Sequence, residues 1–133
     1  MTGDIEQKVH FDASPHEVYE TLMDSERHAK MTGAAATISR EVGGSIKAWG
    51  NYIVGENLEL IQDQKIVQRW RASDWPYGEY SVAIFELHTA ATGTDLVFTQ
   101  TDVPTESVDD ISQGWHDSYW DPMKEVFGSK ADE

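Results

Sequence analysis

The residues able to do acid–base, nucleophilic or metal chemistry are few and scattered. The five histidines are His10, His16, His28, His88 and His116, and no two stand four apart on one prospective helix, the spacing that places two ligands on one face. There is no cysteine, which removes disulfides and thiolate metal ligands together. His116, Asp117 and Ser118 are sequence neighbours, so on a helix they point in different directions, and a triad needs a convergence that adjacency does not supply. No Gly-rich phosphate loop opens a helix. If the interior holds a catalytic polar group, Glu86 and His88 are the strand residues placed to provide it. The pattern reads as a binding protein and not an enzyme, with no cofactor and no metal.

Aromatic residues carry more information. Trp49, Tyr52, Trp70, Trp75, Tyr80, Phe85, Trp115, Tyr119 and Trp120 are many large rings for 133 residues. Four of them, Trp70, Phe85, Trp115 and Tyr119, are placed to line a cavity for a hydrophobic or amphipathic small molecule. The competing reading is that they fill the core, which close packing of protein interiors favours. Trp75 and Tyr77 sit in a loop richer in apolar rings than a plain turn requires. Exposed, they form a tip that anchors a protein partner; buried, they cap one end of the cavity. Arg69 and Arg71 flank Trp70 and face the opposite side of its strand, where surface carboxylates are the expected partners.

The elements that must position these rings follow from pattern. Ile5 to Phe11 reads as a strand. Ser14 then caps a helix with Pro15 in its first turn and Glu17 at the capping-box position; Val18, Tyr19, Leu22 and Met23 follow at helical spacing. A second short helix from Glu26 to Met31 ends near Gly33. Strands are expected over 36–40, 46–54, 58–61, 65–72, 80–88 and 95–102, with turns at Gly43-Gly44, Gly55-Glu56-Asn57, Asp63-Gln64, Pro76-Tyr77-Gly78 and Ala91-Thr92-Gly93. Such short connections give an antiparallel meander. Ile111, Trp115, Tyr119, Met123 and Phe127 then recur at every fourth position as one apolar helical stripe. Pro122 should bend that helix, and Gly114 should let it approach another element closely. A curved antiparallel sheet of six to seven strands around a long C-terminal helix, with two short helices after the first strand, is an α+β helix-grip fold.

Hydrophobic residues at 39% and aromatics at 11% suit one folded domain over residues 1–133. No apolar run approaches a membrane span, and the polar first ten residues lack a signal-peptide core, so cytoplasmic residence is the expectation. The net charge of −14 repels nucleic-acid phosphates and anionic lipid. It fits a solubilising surface, a high-salt habitat or a basic partner, and the sequence leaves all three open.

Ser14-Pro15 through Tyr19, Gly43-Gly44 and Ile66-Val67-Gln68-Arg69-Trp70-Arg71 resemble the START-like (SRPBCC) superfamily. Within it, Trp75-Pro76-Tyr77-Gly78-Glu79-Tyr80, Val103-Pro104, and Gly114-Trp115 with Tyr119-Trp120 resemble the C-terminal-type domain of the activator of heat-shock protein 90 ATPase homologue family. The resemblance covers about 9–127 and leaves 128–133 as an acidic tail. It implies a co-chaperone or stress-response interaction domain with a heat-shock protein 90 type chaperone as partner. The alternative is a binding protein for a hydrophobic small molecule or lipid held between sheet and C-terminal helix. In the eukaryotic activator a separate N-terminal domain precedes this one, and the expectation from 133 residues is that there is no room for it.

Overall fold

Buried and exposed side chains alternate along the strands, and the buried set of each strand faces a common helix. The computed structural model describes residues 2–76 and 78–131, with side chains as far as Phe127. Tyr77 and the acidic tail over 128–133 therefore lie outside the residues whose side chains are described. β1 (Thr2–Phe11) is followed by α1 (Pro15–Met23) and α2 (Ser25–Thr32). Next come β2 (Thr37–Ile38), β3 (Ser45–Ala48), β4 (Ile53–Ile61), β5 (Lys65–Ala72), β6 (Ser81–Thr89) and β7 (Thr94–Pro104). They form one antiparallel sheet in the order β1-β7-β6-β5-β4-β3-β2. The C-terminal helix runs as α3 (Val108–Trp115), a π-helical turn (His116–Trp120) and α4 (Asp121–Ala131). This is the expected α+β helix-grip fold, with seven strands curved around the long helix.

Local chemistry explains the helix starts. Ser14 Oγ accepts from the Glu17 N–H at 3.2 Å, and Pro15, which has no N–H to satisfy, occupies the first turn. Asp24 ends α1 and caps α2, accepting from the Arg27 N–H at 2.9 Å. α2 then stops at Gly33, whose φ of 80° is the left-handed conformation glycine adopts at low cost.

Two expectations are corrected. The chain turns at Trp49-Gly50-Asn51, and Gly55-Glu56-Asn57 lies inside β4. Gly55 is needed there because a Cβ would collide with the Arg69 carbonyl across the ladder. Gly114 does not serve close approach: a Cβ added to it meets nothing within 4 Å.

Pro122 acts through a change of helix type. Its ring would press on the carbonyl four residues back in a regular α-helix. Instead the preceding turn widens, and the Asp121 N–H donates to the His116 carbonyl five residues back. Positions five apart lie roughly 140° from each other on an α-helix, yet here Trp115 and Trp120 stack, with centroids 5.5 Å apart and planes at 22°. The wide turn thus adds Trp120 to the inward face beside Trp115 and Tyr119. Trp120 Nε1–H donates to Gln7 Oε1 at 2.6 Å, and Gln7 Nε2 donates to the Ser112 carbonyl at 2.9 Å, joining β1 to the helix.

Candidate functional site

The four rings expected to line a cavity do converge. Trp70 on β5, Phe85 on β6, and Trp115 and Tyr119 on the C-terminal helix surround one enclosed void between sheet and helix. Trp115 is the hub, with centroids 5.7 Å from Trp70, 5.7 Å from Phe85 and 4.7 Å from Tyr119. The rings fill most of the space they enclose: the void is about 20 Å³, on the scale of a single water. A buried polar chain fixes their orientation. Trp115 Nε1–H donates to Gln100 Oε1, Gln100 Nε2 donates to Ser81 Oγ, and Ser81 Oγ–H donates to the Trp70 carbonyl, each at 2.8 Å. Every member is satisfied, so the chain rigidifies the aromatic cluster without an orphaned buried group.

One titratable pair, His28 and Tyr119, borders that void; Tyr119 was expected there from the sequence and His28 was not. His28 on α2 is 5% exposed. Its Nδ1 lies 3.1 Å from the Leu22 carbonyl and its Nε2 lies 2.8 Å from the Tyr119 hydroxyl. A carbonyl only accepts, so Nδ1 carries the proton and Nε2 accepts from the Tyr119 O–H. Burial holds the His28 pKa below its ordinary 6.5, against the Leu22 hydrogen bond, which raises it. Burial also pushes the Tyr119 hydroxyl well above its usual value, offset in part by Trp49. Both groups are neutral at pH 7, which suits a buried hydrogen bond and not proton transfer. The available signal was helical spacing, since His28 shares a face with buried Met31 three residues on.

Ligand-sized space lies on the other side of the same rings. A cleft of about 370 Å³ opens between the Trp49–Tyr52 turn and the first half of the C-terminal helix. Trp70, Trp115 and Tyr119 form its floor, Trp49 and Tyr52 its outer wall, and Asp110 and Ser118 line its helix side. Trp49 is held there at φ 55°, a conformation unfavourable for a bulky side chain that persists only where surrounding structure imposes it. Its ring meets Tyr119 edge-on at 6.3 Å. Tyr52 is 42% exposed, and its O–H donates to Asp74 Oδ1 at 3.0 Å.

Other sequence expectations resolve differently. Trp75 is buried, tilted against Trp70 at 5.5 Å, so it caps the aromatic cluster and offers no ring to a partner. Arg71 meets the same loop: among the described residues it donates to the Trp75 carbonyl at 2.7 Å and forms no ion pair with a carboxylate. Arg69 does pair with Glu56, and both guanidiniums lie over the Tyr80 ring, at 5.8 and 5.7 Å. Glu86 and His88 lie on the outer side of β6, alternating with inward Phe85 and Leu87, so neither is an interior catalytic group. Among the described residues, no cluster of three or more His, Asp or Glu is placed to hold a metal, and no helix is long and apolar enough to cross a membrane.

Comparison with known proteins agrees with this architecture. The family described as Activator of Hsp90 ATPase homolog 1-like protein matches residues 12–128. An uncharacterized protein of Schizosaccharomyces pombe is 33% identical over 130 residues, spanning 98% of this chain and 39% of that protein. The human Activator of 90 kDa heat shock protein ATPase homolog 1 is 28% identical, over 98% of this chain and 38% of its own length. The chain thus spans about two fifths of the length of these curated relatives. Among solved structures, an HSP90 activator from Plasmodium falciparum superposes with a TM-score of 0.89 at 21% identity, covering 94% of this chain and 96% of that one. The chain belongs to the Activator of Hsp90 ATPase homolog 1-like family.

Proposed function

We propose that this chain is a non-enzymatic START-like interaction domain that acts with a heat-shock protein 90 type chaperone, as a co-chaperone in the cytoplasm. The observation that supports this is similarity along 98% of the chain to a human protein named for activating the 90 kDa heat shock protein ATPase. The acidic surface, with a net charge of −14, suits a basic partner face and predicts association that weakens with salt. The test is ATPase turnover of purified heat-shock protein 90 titrated with this chain. A saturable rise in turnover is expected. Unchanged turnover, together with no complex in sedimentation, contradicts the reading.

A second reading is favoured by one observation, the cleft of about 370 Å³. That volume falls within the ~300–1,000 Å³ of small-molecule sites, and its walls are mostly aromatic. In this reading the chain binds a hydrophobic small molecule or lipid, held at the open cleft and not in the enclosed void. Ligand binding to the native state raises the unfolding midpoint, so a thermal-shift panel of hydrophobic compounds tests it.

A further inference from the structure

The chemistry of the cleft wall narrows the class of ligand. None of the described residues lining the cleft is basic, and its one charged side chain is Asp110. A second carboxylate, Asp74, is fixed beside the mouth by the hydrogen bond from Tyr52. Tyr52 and Asp110 line the same cleft, and partial burial, then the Asp74 hydrogen bond, and then the charges of Asp74 and Asp110 raise the Tyr52 pKa. The rings supply the complementary half of the site. Aromatic faces carry negative quadrupole density and attract cations, most strongly where water is excluded. Trp49 and Tyr52 present ring surface at the rim, while buried Trp70, Trp115 and Tyr119 make an apolar floor. A fatty acid or other anionic amphiphile would bring its headgroup to carboxylates, on a chain whose net charge is already −14.

Building on the small-molecule reading, we infer that the cleft takes an organic cation: an ammonium group held at the rim between Asp110, Trp49 and Tyr52, with its hydrocarbon or aromatic body on the Trp70, Trp115 and Tyr119 floor. The inference depends on that reading, and three probes separate the two. Benzyltrimethylammonium carries the cation, neopentylbenzene is its uncharged carbon isostere, and 4-phenylbutyrate is an anion of similar size.

Binding is followed by tryptophan fluorescence and by the shift in thermal midpoint. The cation is expected to bind about tenfold more tightly than the isostere, a ratio on the scale of one partly desolvated cation–π or ion-pair contact. The anion is expected to bind more weakly than either. In Asp110→Asn, an exposed position that keeps its size, the cation should lose most of that tenfold advantage while the isostere binds as before. Trp49→Leu should weaken the cation more than the isostere. Equal binding of cation and isostere, or a preference for the anion, overturns the cation assignment and leaves a hydrophobic site standing. Absence of binding by all three overturns both.

Discussion

The inner face of the C-terminal helix has two halves that put the same kind of side chain to different ends. In the second half, Trp120, Met123 and Phe127 are fully buried. Phe11 meets Trp120 at 6.2 Å and Phe127 at 5.7 Å, and Phe98 meets Trp120 at 5.5 Å. In the first half, Ile111, Gly114 and Ser118 border open space, and Trp115 and Tyr119 are the floor of a cleft. What differs is the element opposite. Both halves rest on sheet rings, Phe98 meeting Trp115 at 4.4 Å as well as Trp120. But β1 closes over the second half with Phe11, whereas the outer side of the first half faces the Trp49–Tyr52 turn across a gap. An aromatic stripe is therefore core or site according to what the sheet places across from it, and Gly114 keeps the gap open by having no side chain.

The contrast predicts unequal costs for equal truncations. Trp120→Ala removes a fully buried ring and its bond to Gln7, and should destabilise by ~3–5 kcal/mol. Trp49→Ala, at the half-buried cleft wall, should cost less than about 1 kcal/mol, because its ring borders open space and its loss leaves no enclosed cavity, while alanine keeps the Cβ and with it the same backbone strain. Urea unfolding of the two variants checks the difference, and similar costs would break the comparison. Between these, Gln100→Leu leaves the buried Trp115 Nε1–H without an acceptor and takes the Gln100 donor from Ser81 Oγ, which keeps its bond to the Trp70 carbonyl, and should cost ~1–3 kcal/mol.

Acid should act on the closed side through His28. Its folded pKa is lowered, so the unfolded chain binds the proton more tightly than the folded one. The contribution to stability is complete above pH 6.5 and declines as pH falls from there towards the lowered folded value. The urea midpoint followed from pH 7.5 to about 5 should fall less steeply in His28→Gln than in the unmodified protein. The smallest effect is a gain. Gly114 has open space at its Cβ position, so Gly114→Ala should raise stability by about 0.5–1 kcal/mol through helix propensity alone.

The parts legible in the sequence were those with a local cause. Ser14-Pro15 announces α1, the β-branched and aromatic run over Lys65–Ala72 gives β5 to the residue, and the four-residue recurrence from Ile111 to Phe127 gives the C-terminal helix. Which face of β5 looks inward was not legible, since a one-residue shift inverts it, and the structure turns Trp70 inward. The misreadings share a physical reason: one residue type serves two purposes. A glycine permits a turn and equally a close backbone approach, so Gly55 read as a turn while the chain turned at Trp49-Gly50. A proline bends a helix or is accommodated by a widened turn, so the π turn before Pro122, and with it the inward position of Trp120, left no mark in the apolar spacing. At the site, the helical period placed Trp115 and Tyr119 on one face, and Trp70 and Phe85 were candidates to meet them, with a filled core as the competing reading. The cleft was not legible, since it depends on a gap between elements far apart in sequence. The same holds for His28, whose partner Tyr119 is 91 residues away.

The most direct test is whether filling the gap beside Gly114 abolishes ligand binding without harming the fold. Thermal midpoints are measured for the unmodified protein and Gly114→Leu, with and without a panel of cationic and neutral hydrophobic compounds. The account predicts a ligand-dependent rise in the unmodified protein, its loss in Gly114→Leu, and an unliganded midpoint in the variant no lower than the original. An equal rise in both proteins, or none in the unmodified one, would contradict it.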